Sequence, residues 1–281
     1  MCTLIGKTSG CQPPFLASTS DDPYSTRNQV IADTGPTGLR FLAVVAHSLT
    51  GSVPWDGMIT RGLNDAGLAF TYSFVEPATT NYGTRTKQTS PADFSYQLLT
   101  ECSNTDEATK FLHGGVPSGC TGNYLLLDAT GNLVVVEAAT TVSRCFVAEQ
   151  VVRTNTWTAP SLPPLRPSIY SGQSSAHRAA RAKQLLERIH AARDVAAILS
   201  DHSGSGKQLT YDLSICNHGS TDGTTSAEIL IPAHRILLYT YGRPCGQNDS
   251  LPSWGHYREF SLKEAANGQL TDLAGSVRPS V

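Results

Sequence analysis

The sequence predicts an α+β protein in which antiparallel sheets are covered by pairs of helices. Three observations carry this. Strands and helices come in blocks: strands, two helices, strands, two helices, strands. That order departs from the strict βαβα alternation of a parallel sheet. Consecutive strands are joined by short turns, as antiparallel neighbours are. Over 281 residues, one core can bury roughly three quarters of the surface of the unfolded chain, so no disulfide or metal is needed for folding. We expect one domain over 1–281, because no internal repeat or linker divides the chain.

The elements follow in order. Met1 to Lys7 reads as a strand. Phe15 to Ser18 reads as a second, ended by Asp21-Asp22-Pro23. Further strands are expected at Asn28–Ala32, Arg40–His47, Gly57–Leu63 and Gly67–Phe74, the last two joined through Asn64-Asp65-Ala66-Gly67, whose residues tolerate positive φ. Ser90-Pro91-Ala92-Asp93 opens a helix, with Ser90 as cap, Pro91 at the first position and Asp93 adding negative charge near the N-terminus. A second helix starts at Thr105 and stops at Gly114-Gly115. Strands then follow at Asn123–Asp128, Leu133–Ala138, Ser143–Ala148 and Val151–Thr154. Trp157 to Gln173 is rich in proline and reads as loop. Ser174 to Ala192 is the longest expected helix, capped by Ser174 or Ser175, and Asp194–Ser200 continues helical. Ser203–Gly206 reads as loop. Ala227–Pro232 and His234–Tyr241 form a last hairpin, and the polar tail after about Leu262 is expected on the surface.

Composition excludes several function classes. A net charge of -2 with mixed signs gives no electrostatic footprint for nucleic acid. No apolar run approaches the roughly 20 residues of a spanning helix. The odd number of cysteines, seven, without pairing rhythm or CxxC spacing, reads as free thiols in a reducing compartment. With no basic region followed by an apolar stretch at the start, a cytoplasmic protein is expected. Homo-oligomerisation is left open.

Chemistry can begin at Cys2. Removal of Met1 would leave a thiol and an α-amine on one residue. Their ordinary pKa values, about 8.5 and about 8, let the amine take the thiol proton near neutral pH. If the first two strands form a hairpin, Asp21 returns close to the chain start, where a carboxylate can hold that amine. Thr154-Asn155 lies where a strand runs into the proline-rich loop, a common place for functional side chains. Trp55, Tyr24 and Trp157 lie in loops that can wall an acyl pocket. His202, Cys216 and His218 match no zinc spacing, and Gly204-Ser205-Gly206-Lys207 is only a fragment of a phosphate loop. No metal or cofactor is expected.

Several runs together resemble the N-terminal-nucleophile (Ntn) cysteine hydrolases, in the branch of isopenicillin-N acyltransferases, acid ceramidase-like amidases and choloylglycine hydrolases. They are Met1-Cys2-Thr3, Asp21, Gly62-Leu63-Asn64-x-x-Gly67-Leu68, and Asn123-Tyr124-Leu125-Leu126-Leu127-Asp128-Ala129 leading into Val134-Val135-Val136-Glu137. Thr154-Asn155, Ser174-Ser175-x-x-Arg178-x-x-Arg181, Asp201-His202 and Ile215-Cys216-Asn217-His218 continue the order over nearly the whole chain. The resemblance implies a four-layer αββα sandwich. It implies Cys2 as nucleophile, its α-amine as base, Asp21 orienting the amine, and Asn155 donating to the oxyanion. The strand end at Tyr72-Ser73 would supply a second donor, and Arg178 would organise the site, with Arg181 the weaker candidate.

The sequence departs from the family pattern at three positions. Ser18 stands where related amidases often carry Arg, Ser73 where several carry Asn, and Thr156 where acyltransferases often have His. The expected activity is cleavage or exchange of a linear amide through an acyl-thioester on Cys2, with a small-molecule amide or acyl donor as partner and loss of Met1 as the only maturation step. The Ser20-Asp21-Asp22-Pro23 run is closer to a dipeptidase-like branch, which is the alternative. A catalytically idle binding or scaffold protein of the same fold is the alternative from another class.

Overall fold

The computed structural model describes residues 1–50, 56–78, 89–165, 169–202, 213–246 and 256–265. Two antiparallel sheets form its centre. One has six strands in the order β10-β1-β2-β11-β12-β13, the other seven in the order β3 to β9. In the first sheet, β1 is Cys2–Lys7, β2 Phe15–Pro23, β10 Gln150–Arg153, β11 Asp222–Ile231, β12 Ile236–Tyr241 and β13 Arg258–Ser261. In the second, β3 is Thr26–Thr34, β4 Arg40–Ser48, β5 Ile59–Asn64, β6 Ala69–Phe74, β7 Gly122–Leu127, β8 Leu133–Ala138 and β9 Ser143–Val147.

The helices lie outside the two sheets. α1 (Pro91–Glu101) and α2 (Thr105–His113) cover the seven-stranded sheet, with Phe94, Leu98, Leu99 and Leu112 packed against Phe41, Phe70 and Leu126. α3 (Ile169–Leu186) and α4 (Val195–Leu199) cover the six-stranded sheet, with Ala182, Leu186 and Ile198 against Ile5, Phe15 and Ile229. Between the sheets lies a third apolar layer that includes Leu4, Leu16, Leu42, Leu125, Val135 and Leu230. This is the expected four-layer αββα sandwich. Strands buried on both faces explain why β1, β7 and β8 read as nearly continuous apolar runs rather than alternating ones. Among the described residues, no helix is long and apolar enough to cross a membrane.

Local chemistry matches the expected caps. Ser90 accepts from the Asp93 N–H at the start of α1. In the β5–β6 turn, Asn64 Oδ1 accepts from the N–H groups of Gly67 and Leu68 at 3.1 and 3.0 Å. Gly67 has a φ of +100°, which an L side chain rarely adopts. Asn64 also donates to the carbonyls of Leu99 and Cys102 at 2.8 and 2.7 Å, tying the end of α1 to the sheet.

Three expectations need correction. The second strand runs on to Pro23, so Asp21 lies inside a strand and not in a turn. Its residues pair with β11, Asp21 opposite Thr224, and that ladder overrides the low strand propensity of Asp. The long helix begins at Ile169 and ends at Leu186, so Ser174 and Ser175 lie within it rather than capping it. Its end is set from afar. The buried Lys7 ammonium donates to the carbonyls of Leu186 and Ile189, both at 2.9 Å, where a cation complements the helix C-terminus. Finally, β13 was not expected. Arg258–Ser261 pairs with β12, and Phe260 and Leu262 are buried in the inter-sheet layer. The Ser203–Gly206 loop, Lys207, Trp55 and the tail beyond 265 lie outside the described residues.

Candidate active site

The β1–β2 hairpin sets the site. Its register places Cys2 opposite Ser20, and the Met1 amino group donates to the Asp21 carbonyl. Cys2 is buried, at 8% exposure. Its N–H donates to Asn155 Oδ1 at 2.8 Å. Asn155 comes from just beyond β10, whose pairing with β1 brings it there, and its Nδ2 donates to the Phe74 carbonyl at 2.9 Å.

Two buried groups fix the backbone on either side of Asn155. Asn123 Nδ2 donates to the carbonyls of Thr154 and Thr156 at 2.7 and 3.1 Å. Glu137 accepts from the N–H groups of Thr158 and Ala159, each at 2.8 Å, and pairs with Arg153 at 2.9 Å.

Arg178 is fully buried in α3. Its guanidinium donates to the Cys2 carbonyl at 2.7 Å, Thr3 Oγ1 at 2.9 Å, Asn155 Oδ1 at 3.1 Å and Ser174 Oγ at 3.1 Å. Arg181, one turn on, pairs instead with Asp201 at 2.8 Å. Asp21 Oδ1 accepts from Thr224 Oγ1 at 2.7 Å, and Oδ2 lies 3.8 Å from Arg178. Oδ2 is buried with no hydrogen bond. Burial pushes the Asp21 carboxyl up from its ordinary range, against the pull of the N-terminal amine, Arg178 and Thr224. Burial likewise pushes Arg178 down, opposed by Asp21.

Sequence reasoning missed Arg61. It lies on β5, where it read as part of a hairpin. In the fold its guanidinium crosses to the other sheet, donating to Cys2 Sγ at 3.3 Å, Ser18 Oγ at 3.1 Å and the Thr19 carbonyl at 3.0 Å. It pairs with Glu228 at 3.3 Å, both side chains being almost completely buried. Glu228 in turn accepts from Ser18, Ser20 and Ser226. Burial works against the charge on Arg61, but the Cys2 sulfur and the Glu228 carboxylate outweigh it and hold its pKa above the ordinary value. Arg61 thus places a guanidinium from the facing sheet between Ser18 and Cys2. The only sequence signal was an arginine inside an otherwise buried strand.

The other expected residues have different surroundings. Ser73 Oγ donates to the Thr154 carbonyl at 2.6 Å, so it ties β6 to the segment carrying Asn155. The Tyr72 hydroxyl donates to the Thr121 carbonyl at 2.9 Å, with that of Gly119 at 3.3 Å. Trp157 Nε1 donates to the Pro163 carbonyl at 2.9 Å, and its ring packs on Ala139, Ala159 and Leu162. The Tyr24 hydroxyl donates to the Gly219 carbonyl and accepts from Arg243, both at 2.6 Å.

A family model described as acyl-coenzyme A:6-aminopenicillanic acid acyl-transferase matches residues 11–217. No curated relative matches the chain in sequence. Among solved structures, a C2A variant of conjugated bile acid hydrolase from Clostridium perfringens is 14% identical, with a TM-score of 0.55 over 94% of this chain and 93% of that one. Penicillin V acylase from Agrobacterium tumefaciens is also 14% identical, with a TM-score of 0.56 over 94% of this chain and 87% of that one. The N-acylethanolamine-hydrolyzing acid amidase orthologue of Caenorhabditis elegans is 9% identical, with a TM-score of 0.50 over 83% and 93% of the two chains. The sheets and helices of the protein are therefore those of the Ntn-hydrolase sandwich, and the chain belongs to the acyl-coenzyme A:6-aminopenicillanic acid acyl-transferase family.

Proposed function

We propose that the protein breaks or exchanges a linear amide bond through an acyl-thioester on Cys2, after hydrolysis of the Met1–Cys2 bond frees the Cys2 α-amine. The observation that carries this reading is the pairing of the Cys2 nitrogen with Asn155 Oδ1 at 2.8 Å, beside a buried Asp21 oxygen without a hydrogen bond. A buried carboxylate oxygen without a hydrogen bond costs free energy. The ammonium that Met1 loss creates is a cation suited to it.

The chemistry follows. The α-amine takes the Cys2 Sγ proton, and the sulfur forms a bond to the substrate carbonyl carbon. The Arg61 guanidinium lies against the sulfur, 3.3 Å away, and holds it in place for that attack. The carbonyl oxygen becomes an oxyanion, and Asn155 Nδ2, one of whose hydrogens stays on the Phe74 carbonyl, has a second hydrogen to donate to it. Arg178, by holding Asn155 Oδ1, fixes which way that amide faces. The C–N bond then breaks, and the leaving nitrogen carries away the proton held by the α-amine. Water, or a second amine, gives a proton to the α-amine and displaces the sulfur. General acid–base help of this kind contributes roughly 10²–10⁴-fold, and each oxyanion donor about 10²–10³-fold.

The test is intact-mass measurement of processed protein during turnover of three linear amides: penicillin V, a conjugated bile salt and an N-acylethanolamine. An acyl adduct on Cys2 that forms and decays at the turnover rate is the expected result. Turnover with no adduct trapped on Cys2, or activity at full strength while Met1 remains attached, overturns the mechanism.

A further inference from the structure

Among the described residues, one group of side chains away from Cys2 has the composition and spacing of a metal centre. His202 follows the end of α4. Cys216 and His218 lie in the segment that leads into β11, and Cys245 lies just beyond β12. Their ligating atoms all fall within 4.8 Å of one another. His218 Nε2 is 3.0 Å from His202 Nε2, 3.3 Å from Cys245 Sγ and 3.6 Å from Cys216 Sγ. The two imidazole rings stand edge to face, 87° apart.

These separations can be compared with a tetrahedron. Zinc bonds nitrogen at about 2.0–2.1 Å and sulfur at about 2.3 Å, so the edges of a tetrahedral Cys₂His₂ site are about 3.3 Å for N···N and about 3.5 Å for N···S. The observed edges around His218 lie within a few tenths of an ångström of those values. Core packing of two thiols and two imidazoles does not by itself require both Nε2 atoms and both sulfurs to converge on one point.

We propose that His202, Cys216, His218 and Cys245 form a structural zinc site. With four protein donors the site is closed, and two thiolates with two neutral imidazoles balance the dication. On binding, two S–H bonds break, two Zn–S bonds form and two protons pass to solvent, with no change in oxidation state. The softness of the donor set favours zinc over magnesium or calcium.

The placement gives the site a purpose. Its four donors come from three separate stretches of chain, and the metal would staple these together beside the six-stranded sheet. The Cys216 N–H already donates to the Asp201 carbonyl at 3.1 Å, which brings the His202 stretch alongside. Asn217, between two of the ligands, exchanges hydrogen bonds with Thr224, its N–H to Thr224 Oγ1 at 2.8 Å and its carbonyl from the Thr224 N–H at 2.9 Å. Thr224 is the residue that donates to Asp21. The staple would therefore hold the segment that supports the candidate active site without joining it.

Untagged, reduced protein stripped with chelator and reloaded with Zn²⁺ is the material for the test. The expected result is about one zinc per chain by elemental analysis. Loading with Co²⁺ should give the visible bands of a tetrahedral ion and a thiolate-to-cobalt charge-transfer band, and thermal unfolding should move to higher temperature with added zinc. Cys245→Ser and His202→Gln, at half-buried positions, should lose the charge-transfer intensity and the zinc-dependent shift together. Wild-type protein that retains no zinc after reloading, a cobalt spectrum without thiolate character, or full zinc content in Cys245→Ser would each overturn the site.

Discussion

Asp21 and Asp128 are both buried carboxylates, at 2% and 6% exposure, and their surroundings are opposite. At Asp128 every donor comes from the same turn or a neighbouring helix. Oδ1 accepts from the Thr130 N–H, the Thr130 hydroxyl and the Asn132 N–H, and Oδ2 from Thr105 Oγ1 and Asn132 Nδ2. Burial opposes the charge there, but these hydrogen bonds prevail and hold the carboxyl below its ordinary range. At Asp21 burial prevails, the carboxyl is pushed up, and one oxygen has no hydrogen bond. A turn that serves only the fold satisfies itself. The region around Cys2 leaves polar capacity unused, and that is where a ligand or a new charge gains most.

The sharpest way to break this contrast is to remove the thiol. Cys2→Ala is expected to lower turnover by about 10⁴-fold or more while leaving thermal unfolding nearly unchanged. A Cys2→Ala enzyme with substantial activity would sink the nucleophile assignment. Arg61→Met comes next. It leaves Glu228 buried without its cation, which costs about 3–5 kcal/mol of stability. Burial already raises the Glu228 carboxyl, with Arg61 opposing, so loss of Arg61 raises it further. A group with a raised folded pKa loses its stabilising contribution as pH rises. The destabilisation should therefore grow with pH, and Glu228→Gln in the same chain should remove that pH dependence. Denaturant unfolding at several pH values reads both.

Asn155→Ala should lower kcat by about 10²–10³-fold with a smaller change in KM, because an oxyanion donor acts on developing charge. A change in KM alone would make Asn155 an ordinary binding residue. Asp128→Ala belongs to the other side of the comparison. It should cost about 1–3 kcal/mol with kcat unmoved. The Asp128 pKa is lowered in the fold, so its contribution is present above the ordinary carboxylate pKa and lost as pH falls through the folded value. The gap between wild type and variant should accordingly narrow in acid.

The smallest effect, and the one that most refines the contrast, is at Asp21. In processed protein, Asp21→Asn removes the negative charge that favours the ammonium form of the Cys2 amine. The amine's pKa then falls, and the acidic limb of the kcat/KM profile moves to lower pH by up to about one unit. An unmoved limb would show that something other than Asp21 holds the amine. Stability should suffer less than in Asp128→Ala, because fewer hydrogen bonds are lost.

Local patterns in the sequence determined the block order of strands and helices, the Ser90 and Asn64 turn chemistry, and the antiparallel α+β class. These depend on φ, ψ and burial within a few residues of each other, which a linear pattern records. The Cys2–Asp21 proximity was also legible, because a hairpin is a local structure. Other features were decided only by the tertiary structure. Asp21 became a strand residue through pairing with β11, some 200 positions away, and the end of α3 was set by Lys7 on β1. Arg61 entered the site because the two sheets face each other, and no motif links it to Ser18 and Glu228. His202, Cys216, His218 and Cys245 have no zinc-type spacing along the chain, because such spacings describe ligands held by local loops. In this fold the four converge only when three distant stretches pack beside one sheet. Sequence separation carries no information about such contacts; the register of the sheets does.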